Sequence, residues 1–212
     1  DNDLKTINSY FNDDVISQIQ DQYGKVDLVT ASNVFAHSDK LKQITNNVFK
    51  ILKHDGVFII EVQYLVDTIT SLTFDNIYHE HVNFWSVKSL NSFFKNLGFF
   101  IHKVEHIDTH GGSIRVFVKS IDSPDPSLNE FLNNENKLGV NKFSFYEEFS
   151  LKIESMRNNI RSNIDSLKKQ YSIIAGYGSP AKATTALNYF CINSDDIDYI
   201  IEDNEKIFIF LK

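Results

Sequence analysis

Apolar residues change their spacing several times along the chain, and each change marks an element. Residues 5–11 carry the alternation of a short strand, and Asp13-Asp14 follow as a cap for a helix running to Tyr23-Gly24. Val26-Asp27-Leu28-Val29-Thr30 predicts a buried strand leading into the polar turn Ser32-Asn33. Leu41, Ile44, Val48, Ile51 and Leu52 recur at helical spacing with Asp55-Gly56 as the stop, and residues 57–62 form an apolar strand with Glu61 near its end. Strands and amphipathic helices in alternation pack as a mostly parallel α/β sheet.

Ser86 is placed to cap a helix carrying Leu90, Phe93, Phe94 and Leu97, closed by Gly98. Residues 99–107 and 113–119 read as two strands joined by Asp108-Thr109-His110-Gly111-Gly112, an antiparallel pair. A parallel sheet that finishes in an antiparallel pair has the ending of a class I methyltransferase sheet, an analogy of fold that assigns no function. Ser123-Pro124-Asp125-Pro126 then breaks the chain. Ser127-Leu128-Asn129-Glu130 and Ser144-Phe145-Tyr146-Glu147 both have the spacing of a capping box. Phe145, Phe149, Ile153, Met156, Ile160, Ile164 and Leu167 make one stripe along a helix of about seven turns. Residues 172–175 begin a last segment of strand, glycine turn (Gly176-Tyr177-Gly178-Ser179), helix opening at Pro180, and strand at 198–201, which is half of a nucleotide-binding fold. The pattern divides the chain into residues 1–121, a helical connector at 122–170, and a partial second Rossmann-like lobe at 171–212.

Composition narrows the classes. With 42% hydrophobic and 23% charged residues, only 8 Gly and 3 Pro, the chain buries a core and is not disordered or fibrous. A net charge of −7 argues against a nucleic-acid footprint and against anionic membranes. A single cysteine, Cys191, excludes an internal disulfide or a cysteine-rich zinc site in these residues and fits a cytoplasmic compartment. No apolar run reaches a membrane span, and the first residues lack the features of a signal peptide. A start at Asp1 without an initiator Met suggests a processed protein or a piece of a longer one.

The densest polar cluster is Tyr78-His79-Glu80-His81, four proton-handling groups in a stretch without helical or strand period. It reads as a catalytic loop, as a surface turn of solvated histidines, or, with His37 beside His79 and His81, as a metal site lacking any thiol or H-E-x-x-H spacing. Asn33-Val34-Phe35-Ala36-His37 follows a strand at the carboxyl edge where α/β sheets bind ligands, and a helical segment would align Asn33 with His37. Thr109-His110-Gly111-Gly112-Ser113 is either a hairpin turn or a place where backbone amides approach a ligand. In Gly176-Tyr177-Gly178-Ser179-Pro180-Ala181-Lys182, a hydroxyl and a lysine at a helix start suit a phosphate, and a tight packing turn suits the same residues.

These four segments, with Phe74-Asp75-Asn76-Ile77 leading into the histidine cluster, occur in the order seen in the S-adenosylmethionine-dependent sugar C-methyltransferases. The chain resembles that family over roughly residues 5 to 203. The resemblance implies methylation at carbon of a nucleotide-linked keto-deoxysugar. It also implies a partial class I methyltransferase (Rossmann-like) sheet, followed by the connector and a nucleotide-sugar-binding lobe. His81 would be the base, with Tyr78 and Glu80 orienting or polarising the sugar. His37, His79 and His110 would support substrate binding, Ser179 and Lys182 would contact the substrate's phosphates, and Asn33 would lie near the methyl donor. Family members begin with a cysteine-rich zinc domain and carry a glycine-rich donor loop. These residues begin downstream of both, so the resemblance implies a fragment with zinc only in the part before it. An O-methyltransferase and a non-catalytic nucleotide-sugar-binding remnant are the competing readings. The sequence does not speak to oligomeric state.

Overall fold

The computed structural model describes residues 5–109 and 111–203. Two compact units emerge, Asp1–Val66 with Val82–Val140 and Asp67–His81 with Asn141–Lys212. No helix among the described residues is long and apolar enough to cross a membrane.

The first unit is built on β1 (Val26–Ser32), β2 (Leu52–Gln63), β3 (Phe100–Ile107) and β4 (Ser113–Lys119), side by side in the order β1-β2-β4-β3. β1 and β2 are parallel, while β4 runs antiparallel to both its neighbours. Alternation along β2 puts Phe58, Ile60 and Val62 into the core, and Ile114, Val116 and Val118 of β4 share that burial. Three helices supply the other side of the core: α1 (Asp13–Tyr23) with Val15 and Ile16, α2 (Leu41–Ile51) with Leu41, Val48 and Ile51, and α4 (Val87–Asn96) with Val87, Leu90 and Phe94. The short α3 (Leu65–Thr70) lies where the chain passes from one unit to the other.

Several expectations change here. Residues 5–11 form no strand, because no neighbouring strand takes up their backbone groups. The cap of α1 is Asn12, whose side chain accepts the Val15 N–H, and Asp13-Asp14 sit inside the first turn, where they complement the helix dipole. β1 is not buried. It pairs on one edge only among the described residues, and Leu28 is 51% exposed. Asp55-Gly56 does not stop α2, which ends at Ile51; both lie within β2, where the register against β1 slips between Val26 and Leu28. A Cβ on Gly56 would stand 2.9 Å from the Leu52 side chain and about 3 Å from the carbonyls of Lys53 and Asp27, so the glycine marks a close approach of backbone.

α5 (Pro126–Leu138) packs along β3 and α4. Its cap is Asp125, with Pro126 at the first position; Ser127, expected to open a capping box, instead accepts the Val104 N–H of β3. In the second unit, α6 (Phe143–Gln170) has no side-chain cap, so the Ser144 box does not form either. Its stripe is used over its middle. Ile153 is buried with Phe74 and Phe190, and Phe149, Met156 and Ile160 pack against them, whereas Leu167 is 42% exposed.

The second sheet is the parallel pair β5 (Ala175–Tyr177) and β6 (Tyr199–Ile201), joined through α7 (Ala181–Phe190). The strand starts three residues later than predicted. It therefore includes Gly176 and Tyr177, and Pro180 is the cap of α7 rather than its first residue. Asp196 ties the β6 side to α6: only 4% exposed, it accepts from Arg161 at 2.6 and 3.1 Å and from the Asn193 N–H. The Arg161 hydrogen bonds hold the Asp196 carboxyl below the usual carboxylate range against the cost of burial. A carboxyl lowered on folding stabilises the native state above the unfolded value and loses that contribution as pH falls through the folded one. Thermal unfolding followed by circular dichroism is therefore expected to weaken below about pH 4. Asp196→Asn should lower the midpoint at neutral pH and flatten the acid slope. An unchanged slope would show that Asp196 contributes nothing to it.

Candidate active site

The histidine loop is fixed from below by an aromatic anchor. Phe74 is buried, with the Tyr189 and Phe190 rings 5.0 and 5.2 Å away. From it Phe74–Asn76 makes one short 3-10 turn, Ile77 N–H donates to the Phe74 carbonyl, and Asn76, 1% exposed, is held at the base of the loop. His81 N–H closes back onto the Tyr78 carbonyl at 3.0 Å, folding Tyr78–His81 into a turn. Four consecutive polar residues thereby face different ways: Tyr78 and His81 half-buried, His79 and Glu80 exposed.

Within that turn the Tyr78 and His81 rings lie 4.5 Å apart, tilted by 53°, and His79 flanks Tyr78 at 6.0 Å. Nδ1 of His81 is 2.7 Å from the Asn76 carbonyl oxygen. A carbonyl only accepts, so Nδ1 carries the proton and Nε2 is the basic nitrogen of the neutral ring. Burial raises the Tyr78 phenol above its ordinary value, and the Glu80 charge and hydrogen bond add to the effect. Tyr78 is therefore protonated at neutral pH with its O–H directed to Glu80. The arrangement contains a positioned base and, beside it, a phenol–carboxylate pair rich in acceptors.

In the first unit, Asn33 and His37 follow β1 at its carboxyl end. They are not aligned on a helix. Asn33 has φ 53°, a left-handed conformation that a short polar residue tolerates, and only Phe35–His37 forms a 3-10 turn. Phe35 fixes that turn, 2% exposed with the Phe58, Phe93, Phe94 and Trp85 rings all about 6 Å away. Asn33 N–H donates to the Glu61 carbonyl of β2, and Asn83 holds the other end of the turn by donating to the carbonyls of Ala36 and Ser38. His37 is exposed at the end of this frame.

In the second unit, Ser179 and Lys182 stand at the turn from β5 into α7. Ser179 is buried, and both its N–H and its hydroxyl donate to Glu202 Oε2 at 2.6 Å. A phosphate at Ser179 must displace or share with that carboxylate. Lys182 is half-buried on the first turn of α7. His110 lies outside the described residues. The structure thus brings Tyr78, His79, Glu80 and His81 together in one turn and holds Asn33 and His37 in another. Asn76, Asn83, Phe35 and Glu202 were not singled out from sequence. Asn76 works through a backbone carbonyl, which no residue type announces. Glu202 does have a legible signal: a carboxylate some twenty residues after a glycine turn, at the end of the next strand.

Residues 4–104 match the family described as methyltransferase domain, and residues 108–208 match the C-methyltransferase C-terminal domain. The C-methyltransferase NovU of Streptomyces niveus is 33% identical over 190 residues, 88% of this chain and 45% of the relative. The chain is thus similar to C-methyltransferases over most of its length. Among solved structures, the chain is similar to the magnesium protoporphyrin IX methyltransferase of Synechocystis PCC 6803 with bound SAH (11% identity, 44% of each chain, TM-score 0.35). It is also similar to a SAM-dependent methyltransferase of Anabaena variabilis ATCC 29413 (13% identity, 51% of this chain and 55% of that one, TM-score 0.37). Overlaps of that size carry no weight beside the family matches. The chain spans about half the length of the curated relative it matches. Its α/β sheet, ending in the antiparallel β3–β4 pair, is the one the sequence predicts.

Proposed function

We propose that the chain serves S-adenosylmethionine-dependent methylation at carbon of a nucleotide-linked keto-deoxysugar, with His81 as the base. The observation that carries this reading is the Nδ1 hydrogen bond of His81 to the Asn76 carbonyl. It fixes ring and tautomer together and commits Nε2 to accepting a proton. Carbon becomes a nucleophile only after the proton beside the ketone is removed. A histidine, poised near neutral pH, is suited to that transfer. As Nε2 takes the proton, the C–H electron pair moves onto the carbonyl oxygen, and the imidazolium left behind is a cation next to the new oxyanion.

Tyr78 and Glu80 divide the remaining work. With its O–H given to Glu80, the phenol oxygen has lone pairs to accept from a sugar hydroxyl, and the carboxylate accepts from another. The pair orients the sugar so that its acidic C–H meets His81. His37 and His79 have supporting roles at the substrate, and Lys182 is the contact proposed for the nucleotide's phosphates.

Asn33 fits the edge of a methyl-donor site, because it stands at the carboxyl end of the β1–β2 pair, its backbone N–H bound to the Glu61 carbonyl. Bound there, S-adenosylmethionine supplies an electrophilic methyl on a sulfonium. A cytoplasmic setting suits a chain with a single cysteine. The test uses the full enzyme with methyl-labelled S-adenosylmethionine and a nucleotide-linked keto sugar. Nuclear magnetic resonance is expected to place the label on a carbon next to the former ketone. A label on oxygen would instead establish an O-methyltransferase, which has no use for the base at His81.

A further inference from the structure

The turn that carries His37 is too small to hold its own shape. Phe35–His37 is one 3-10 turn, closed by the His37 N–H on the Val34 carbonyl at 3.0 Å, and Val34 ahead of it supplies no side-chain cap. Short 3-10 pieces have poor hydrogen-bond geometry, and a first closed turn fixes several dihedral angles for one bond. The buried Phe35 ring anchors the turn from the core side. That anchor leaves the backbone on either side of His37 to be fixed by something else.

One residue takes both sides. Asn83 donates its backbone N–H to the Ala36 carbonyl at 3.2 Å and its side-chain amide to the Ser38 carbonyl at 2.9 Å, so the two chain neighbours of His37 are bound to the same partner. Asn83 is itself held in place. Two positions on, Trp85 bridges to Tyr64, its carbonyl accepts the Leu65 N–H at 2.9 Å, and its ring lies 6.2 Å from that of Phe35. Residues 83–85 therefore grip the turn twice, with an aromatic contact at Phe35 and a polar bracket around His37. Packing of the core requires the first grip only; the second acts on an exposed histidine.

We propose that Asn83 is a positioning residue: by bracketing His37 it fixes the place from which that imidazole meets the substrate. The proposal rests on the methyl-transfer reading, in which His37 supports substrate binding, and it supplies the residue through which that support is set up. A histidine on an unbraced turn is ordered only when substrate arrives, and the entropy of ordering is subtracted from affinity; a bracketed one is ordered beforehand. An amide suits the task because two carbonyls need donors and an amide supplies them without a charge. The bracket is also separable from the base. His81 stands two positions before Asn83 in the chain, but its ring is fixed by the Asn76 carbonyl, a bond in which Asn83 takes no part.

The first measurement needs no reaction. In the 212-residue chain carrying isotope-labelled histidine, nuclear magnetic resonance observes seven imidazoles, and the signal missing from His37→Ala is that of His37. Asn83→Ala removes the side-chain donor; Asn83→Asp keeps its shape but turns an acceptor toward the Ser38 carbonyl. In both, the His37 signal should move or broaden while the other imidazoles stay, and an unmoved signal overturns the bracket. The second measurement uses the full enzyme with a nucleotide-linked keto sugar. Both variants should raise KM for the sugar about tenfold, with proton exchange at saturating sugar within about twofold of the parent. Their Tm should stay within about five degrees of the parent, which separates the effect from loss of fold. In a His37→Ala background, Asn83→Ala should add nothing further to KM, because it acts through the ring already removed. An equal further rise there, or a parental KM in both Asn83 variants, overturns the proposal. So does a fall in exchange with KM unchanged, which would tie Asn83 to His81 instead. Failure of the methyl-transfer reading has a different signature, a label on oxygen or exchange retained in His81→Gln, and the His37 spectra then decide the bracket by themselves.

Discussion

His81→Gln is expected to abolish exchange of the sugar's acidic proton with deuterated water, measured in the full enzyme with substrate and no methyl donor. Methyl transfer should fall by about a thousandfold, within the 10²–10⁴ range of positioned acid–base groups. Glutamine fills similar volume and can still hydrogen bond toward the Asn76 carbonyl, so the turn at Tyr78–His81 should survive while the basic nitrogen is lost. Glu80→Gln separates the roles further. It keeps a carbonyl for Tyr78 and leaves His81 unaltered, so exchange should persist while the Michaelis constant for the sugar rises. Proton exchange in His81→Gln at the parent rate would remove His81 from the base position. The surviving explanation would then be an electrophile-driven reaction on oxygen.

What was legible in the sequence was whatever depended on nearby residues. α4 was readable from end to end because its Ser86 cap, its apolar face and Gly98 lie within thirteen positions of one another. The β3–β4 pair was readable because a glycine-containing turn joins two alternating runs. Failures share a cause in partners distant along the chain. Ser127 lost its capping role to a backbone N–H on β3, and Asp125, with Pro126 behind it, took the cap instead. Gly56 looked like a helix stop because part of its actual constraint, the Asp27 carbonyl, comes from another strand. The site divides in the same way. The histidine loop was visible as a cluster of residue types, but the hydrogen bond that fixes the His81 tautomer depends on Phe74 being sunk among α6 and α7 residues. The engagement of Ser179 by Glu202 likewise spans 23 positions.

The largest stability effect is expected at Glu135, a residue with no catalytic assignment. Its carboxylate is completely buried on α5 and accepts three hydrogen bonds: the Val87 N–H at 2.6 Å, the Lys88 N–H at 2.9 Å and the Tyr64 hydroxyl at 2.9 Å. Ser86 accepts the Ser89 N–H, so the first three amides of α4 are all satisfied, two of them by a side chain 47 or 48 positions away. No basic side chain pairs with Glu135 among the described residues; the positive end of α4 stabilises its charge instead. Glu135→Ala removes the acceptor and strands two amides and a phenol in a closed interior, at a cost of about 3–5 kcal/mol. For a chain of this length that lowers the melting temperature by roughly ten degrees. Glu135→Gln retains one acceptor oxygen but turns an amide N–H₂ toward an N–H, and should fall between Ala and the parent. Denaturant unfolding of the three proteins gives the order. If Glu135→Ala unfolds at the parent's midpoint, the junction of α5 with the start of α4 is held by packing alone, and the carboxylate is a passenger there.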